Sequence, residues 1–254
     1  AHSPAAQCGL DCAAYDLWGK LADKPVWKLW ELDPDRACPT DYTIGIDTID
    51  RMVLKLQEFP KWPIYKIKLG TEQDLKIVRA LRKHTDAVFR IDANCAWTVE
   101  QALSIAPELK QLGVELIEQP LAPDDWDGMA ELHKTSPLPI IADESCRIET
   151  DVDRCATVFH GINIKLIKCG GLTPARRMIR RARDLGLKVM AGCFTESSVG
   201  ISAAAQLMPL LDYADLDGAL LLADDPASGV RFDLGRPMYP DTAGCGVTLT
   251  ASSR

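Results

Sequence analysis

At 254 residues, 47% of them hydrophobic, the chain has the length for one large α/β barrel or two ordinary domains and the apolar content for a sizeable core. A net charge of −7 and a pI near 5.2, with no Lys/Arg stripe interleaved with aromatics, argue against nucleic acid and anionic membrane as partners. No apolar run reaches the ~18–20 residues of a membrane span and no leader pattern opens the sequence. The nine Cys are scattered without a Cys-x-x-Cys, which excludes a disulfide framework or zinc knuckle and fits reduced thiols in a cytoplasmic protein.

In chain order, residues 10–22 read as an amphipathic helix, and Pro25, Pro34 and Pro39 punctuate a connector. The chain opens at Ala1 without Met, as a processed or partial chain would. From residue 42 a repeat takes over. Strands are expected over 42–47, 64–69, 88–92, 114–118, 139–143, 162–166, 187–191 and 214–218. Helices are expected near 48–58, 71–83, 98–112, 126–134, 150–157, 173–185 and 198–207. Eight strands alternating with helices predict a parallel TIM-type (β/α) barrel. An open doubly wound sheet gives no reason for a polar residue at every strand end. The expected division is a connector with a helix over 1–40, the barrel over 41–240 and a tail over 241–254.

The second strand, Tyr65-Lys66-Ile67-Lys68-Leu69, sets two ammonium groups on one face, roughly 6–7 Å apart at the base. Buried lysines need anionic partners. Asp92, Glu118 and Asp143 each end a later apolar run, and Lys165 ends another. From Lys68 to Lys165 the steps are 24, 26, 25 and 22 residues, one strand–helix unit each. Parity supports inward-facing Lys66, Lys68, Asp92 and Lys165. Glu118 breaks the pattern by sharing parity with Val114 and Leu116, which only a bulge or an early strand end would repair.

Three carboxylates at a barrel mouth suit one hard divalent cation per chain, Mg2+. A carboxylate substrate on that cation becomes a better carbon acid at its α-position, because the metal stabilises the enediolate. Lys68 and Lys165 would bracket the α-carbon, one neutral through a depressed pKa and acting as base, the other as acid. Bases on opposite faces give a 1,1-proton transfer that inverts the stereocentre. Lys66 is expected to neutralise the substrate carboxylate, and Lys168, of opposite parity to Lys165, to hold a structural or rim position. Asp215 and Asp217, on one face of the last strand and away from the metal, would bind a cationic group such as a peptide ammonium.

The set Lys-x-Lys at 66–68, Asp-Ala-Asn at 92–94, Ile-Glu-Gln-Pro at 117–120, Ala-Asp-Glu-Ser at 142–145 and Asn-Ile-Lys at 163–165 resembles the enolase superfamily, within it the muconate-lactonising-enzyme subgroup. Asp-x-Asp at 215–217 is similar to the motif of its dipeptide epimerases, such as the L-Ala-D/L-Glu epimerases. The resemblance implies an isomerase acting on a small dipeptide, with Lys68 and Lys165 as the acid/base pair and Asp92, Glu118 and Asp143 as metal ligands. Its substrate contacts correspond to Thr43, Lys66, Cys193 and Thr195. It also implies an α+β capping domain before the barrel, of which the helix at 10–22 is the last element. A lyase or cycloisomerase, such as an o-succinylbenzoate synthase or muconate cycloisomerase, is the alternative within the superfamily. A non-catalytic barrel without its cap is the alternative outside it. Which dipeptide is used, and whether the chain forms a homo-oligomer, stay open.

Overall fold

The computed structural model describes residues 3–250. Strands β1 (Tyr42–Ile44), β2 (Ile64–Lys68), β3 (Val88–Asp92), β4 (Val114–Glu118), β5 (Ile140–Ala142), β6 (Gly161–Lys165), β7 (Lys188–Gly192) and β8 (Tyr213–Asp215) form one sheet in sequence order. All seven pairings between them are parallel. The barrel closes through the residues just before β1. Thr40 bridges Ala214 in parallel, Asp41 N donates to Ala214 O at 3.1 Å, and Leu216 N donates to Thr40 Oγ1 at 2.7 Å. The expected (β/α) barrel is therefore the fold, with every strand within a few residues of its expected place.

Helices α1 (Pro4–Leu21), α2 (Val26–Leu29), α3 (Ile49–Glu58), α4 (Asp74–Arg82), α5 (Val99–Gln111), α6 (Trp126–Thr135), α7 (Asp151–Cys155), α8 (Leu166–Cys169), α9 (Leu172–Asp184) and α10 (Ser198–Ala205) are the α-helices of the described residues. Their start signals are local. Thr98 and Gln101 form a reciprocal capping box on α5, and Thr48 and Asp125 cap α3 and α6 through their side chains. Helix α1 begins two turns earlier than its apolar periodicity suggests, because Ser3 caps it and Pro4 occupies the first helical position. It docks by side chain to backbone: Asp11 Oδ2 accepts from Thr173 N at 2.9 Å and Asp16 Oδ1 from Cys245 N at 2.8 Å. No helix among the described residues is long and apolar enough to cross a membrane.

Outward-facing strand residues such as Tyr65, Ile67, Phe89, Ile91 and Ile164 join one core with the helices. The barrel interior is layered. At its base Leu116, Ile141 and Met190 pack together beside Tyr213. Arg90, 2% exposed, spans the interior to Asp41 Oδ2 at 3.1 Å and Glu115 Oε2 at 2.8 Å. The parity break in β4 has a cause in the register. Phe89 pairs with Val114 but Arg90 with Leu116, so a bulge falls at Glu115. It turns Val114 outward to the core, leaves Leu116 in the interior, and brings Glu118 level with Asp92.

Candidate active site

Strand pairing sets Lys68 beside Asp92 and Asp92 beside Glu118, so the ends of β2, β3 and β4 present their charges at one height. Above them opens a cavity of ≈ 580 Å³ lined by Thr43, Lys66, Lys68, Asp143, Lys165, Cys193, Thr195, Asp215 and Asp217, together with Lys168, Asn94, Arg147 and Phe194. Nine of the eleven residues singled out from the sequence thus border one cavity. Asp92 and Glu118 lie beneath its floor, fully buried. Strands β2 and β6 stand four apart in the eight-stranded order, which puts Lys68 and Lys165 across the mouth from one another.

Lys66, expected to neutralise a substrate carboxylate, lines the cavity but turns its ammonium to buried carboxylates of the chain. It is 1% exposed and its Nζ lies 2.6 Å from Asp215, 2.7 Å from Glu118 and 3.0 Å from Asp92. Three buried carboxylates drew it inward, because a buried anion without a counter-charge is costly. Burial alone would favour the free amine, but Asp215, Asp92 and Glu118 outweigh it and hold the Lys66 pKa well above its usual value. Lys68 pairs with Asp92 at 2.5 Å and donates to Asn94 Oδ1 at 3.1 Å.

Lys165 donates to Asp143 Oδ2 at 2.9 Å. Lys168 donates to the other oxygen of the same carboxylate at 2.8 Å and therefore belongs to the site rather than its rim. The parity argument failed because the strand ends at Lys165 and α8 begins at Leu166; a helical turn returns the side chain to the mouth. The ring of Phe194 stands 5.1 Å from Lys165 Nζ and 6.0 Å from Lys168 Nζ. The Lys165 pKa runs opposite to the depressed value expected of a base. Burial lowers it, but Asp143 and Glu118 more than compensate and raise it.

Asp215 and Asp217 do not share one strand face. β8 ends at Asp215, and Asp217 precedes a 3-10 turn over Gly218–Leu221. Both still line the cavity. Nor is the pair remote from the metal residues, since Lys66 joins Asp215 to Asp92 and Glu118. Asp217 Oδ2 accepts from Thr43 N at 2.7 Å. Burial and the neighbouring Asp215 push the Asp217 carboxyl up to about 7, whereas Asp215, although buried, is held low by Lys66.

The oxygen-only chemistry of Asp92, Glu118 and Asp143 fits a hard divalent cation. Burial, and after it the charge of Asp92, push Glu118 up to about 7. Its Oε1 accepts from Asn163 Nδ2 at 2.7 Å, but its Oε2 meets Lys66 only as an ion pair, outside hydrogen-bond geometry. Asp92 and Asp143 are buried too, yet their lysine neighbours hold both below the usual carboxylate range. Among the described residues, the set whose ligand atoms all lie within 4.8 Å of one another is Cys193, Asp215 and Asp217.

Three positions invisible to charge patterning, Gln119, Asn94 and Cys95, shape the mouth. Gln119 accepts from Asp143 N at 3.0 Å and Ser145 N at 3.1 Å and donates to Ser145 Oγ at 3.0 Å, clamping the β4 and β5 ends together. Asn94, Cys95 and Gln119 all take positive φ, at 43°, 65° and 35°. Left-handed backbone at non-glycine residues costs energy and concentrates at functional sites.

Comparison with known proteins gives the family and the fold. The family described as Enolase C-terminal domain-like matches residues 51–253. An L-Ala-D/L-amino acid epimerase of Maribacter sp. is 59% identical over 95% of this chain and 72% of its own length. An L-Ala-D/L-Glu epimerase of Bacteroides thetaiotaomicron is 42% identical over 96% of this chain and 64% of its own. The crystal structure of a dipeptide epimerase from Enterococcus faecalis V583, complexed with Mg and the dipeptide L-Leu-L-Tyr, superposes with a TM-score of 0.91. Its identity is 34%, over 97% of this chain and 73% of that one.

Proposed function

We propose that this chain, which belongs to the enolase C-terminal domain-like family, is the catalytic barrel of a Mg2+-dependent dipeptide epimerase, an isomerase that inverts one α-carbon. The observation that carries the reading is the pair Lys68 and Lys165, on strands four apart, bordering one cavity with an acidic pair. In this reading Asp92, Glu118 and Asp143 hold the cation, which would withdraw charge from the substrate carboxylate and acidify its α-carbon. Residues 41–240 form the catalytic unit, preceded by the docking helix and connector over 1–40.

One lysine takes the α-proton and the other returns a proton from the opposite face, so the bonds at carbon are restored with the configuration inverted. Lys66 is the fixed counter-charge that keeps Asp92, Glu118 and Asp215 together at low dielectric. Lys168 shares Asp143 with Lys165 and so orients that carboxylate. Asp215 and Asp217, steadied by Thr43, receive the free amino end of the dipeptide, while Cys193 and Thr195 wall the cavity beside them. A lyase or cycloisomerase acting on a substrate without an ammonium leaves the acidic pair without a partner, so that reading ranks second.

The test is incubation of the protein with Mg2+ and free dipeptides in heavy water, following deuterium at the α-carbon by mass spectrometry and configuration by circular dichroism. Deuterium entering together with a shift of the circular dichroism toward that of the epimer mixture supports the reading. Turnover of N-acetylated dipeptides as fast as free ones would sink the dipeptide assignment.

A further inference from the structure

Phe194 follows the end of β7 and is 48% exposed, and it joins no core cluster among the described residues. An exposed aromatic is ordinary on its own; the neighbours of this one are not. Its ring lies 5.1 Å from Lys165 Nζ and 6.0 Å from Lys168 Nζ, within reach of a cation–π contact. Both ammonium groups draw on the single carboxylate of Asp143, so the ring offers an electron-rich face to a locally cationic pair. Among the described residues no ring stands over Lys68.

The ring is held in place through its backbone. Phe194 N donates to Glu196 Oε1 at 3.2 Å. A Cβ at Gly200 would collide with Glu196 Oε2, and one at Gly218 with Phe194 O. Two glycines therefore let α10 and the turn after β8 close on the segment that carries the ring. The shelter is one-sided. The Lys165 side chain is 8% exposed and that of Lys68 is 27% exposed, so the two proposed bases work in unlike surroundings.

We propose that Phe194 is a positioning residue for Lys165, its ring confining that ammonium group at the cavity wall so that proton transfer on the Lys165 face depends on it far more than transfer on the Lys68 face. The proposal rests on the epimerase reading above. In each transfer one proton passes between the α-carbon and a lysine Nζ, and the ring exchanges none. It acts on direction. A long lysine side chain can swing away from the reacting carbon, and small misplacements of a base cost rate. Leu at 194 keeps an apolar wall but lacks the π face that attracts the cation.

The test places Phe194→Leu in two backgrounds: Lys68→Ala, where Lys165 is the remaining base, and Lys165→Ala, where Lys68 is. Each protein receives Mg2+ and both epimers of a free dipeptide in heavy water, and deuterium at the α-carbon is followed by mass spectrometry. The expected loss of exchange is about tenfold in the Lys68→Ala background and about twofold or less in the other. Phe194→Tyr should recover most of the loss in the Lys68→Ala background, because its ring keeps the π face. A readout independent of turnover is acetylation of the metal-free protein by acetic anhydride, mapped peptide by peptide. There Phe194→Ala should raise labelling of Lys165 and Lys168 relative to Lys68. Equal losses in the two backgrounds, no recovery with Phe194→Tyr, or labelling ratios that Phe194→Ala leaves unchanged would each overturn the proposal. Absence of exchange in the unaltered protein is a separate result, which sinks the epimerase reading and the proposal with it.

Discussion

Replacing Lys66 by Met tests whether this residue is the electrostatic keystone of the barrel mouth. The side chain is 1% exposed and holds Asp92, Glu118 and Asp215 within 3.0 Å. Met keeps most of the volume and removes the charge. Breaking a buried ion pair from one side costs about 3–5 kcal/mol, a large fraction of the ~5–15 kcal/mol that stabilises a typical domain. Glu118 and Asp215 lose their lysine while Asp92 keeps Lys68, so the loss belongs at the upper end unless one of the two takes up a proton. At about 2–4 °C per kcal/mol for a chain of this size, the melting temperature in EDTA should fall by roughly 6–20 °C. Mg2+ should recover more of that loss in the variant than it adds to the parent, because it supplies the missing positive charge to Asp92 and Glu118. Lys68→Met should cost less, since Lys66 still holds Asp92. The assay is thermal melting by circular dichroism, with EDTA and with Mg2+. A Lys66→Met protein that melts with the parent, or a Lys68→Met protein that loses more, would refute the reasoning.

Mg2+ at 100 times its dissociation constant should stabilise the parent by about 2.7 kcal/mol, and Asp92→Ala, Glu118→Ala and Asp143→Ala should each abolish the effect; calorimetry with unchanged affinity in all three would discard the ligand assignment. Replacing both Asp215 and Asp217 by Asn should lower kcat/KM for a free dipeptide by roughly 10²-fold, since charge-assisted hydrogen bonds contribute about 1.5–3 kcal/mol each and Asp215 already shares its charge with Lys66. A variant that still prefers free over acetylated dipeptides would count against the pair. Stability should also fall with acid through His160. Burial, with His133 beside it, depresses its pKa below 6.5, and its Nδ1 accepts from Ile140 N at 3.1 Å. The neutral ring is the folded form, so its contribution is complete above pH 6.5 and declines as pH drops toward the lower folded pKa. Urea titrations at several pH values should show less of this decline in His160→Asn; an identical decline would remove His160 as its source.

The barrel was legible because apolar runs, turn signals and helix caps recur at one period, and because the strand-end charges fell on the inward parity of β2, β3 and β6. Three features were not. The bulge at Glu115 has no local signature in Gly113-Val114-Glu115-Leu116 and emerges only from pairing with β3. Lys168 was misplaced because four residues of α8 are too few to carry a helical period. The burial of Lys66 depends on carboxylates from β3, β4 and β8 meeting it together, a tertiary fact that charge alone does not order. The early start of α1 was readable from Ser3-Pro4, a capping signal outweighed by the apolar pattern further on.

The central claim is that Lys68 and Lys165 address opposite faces of one carbon, and single-lysine variants in heavy water test it most directly. Lys68→Ala and Lys165→Ala, each with Mg2+ and each offered both epimers of a dipeptide separately, should both fail to epimerise. Each should still exchange the α-proton of one epimer, and the two variants should exchange opposite ones. Exchange of the same epimer by both variants, or retained epimerisation in either, contradicts the two-face arrangement.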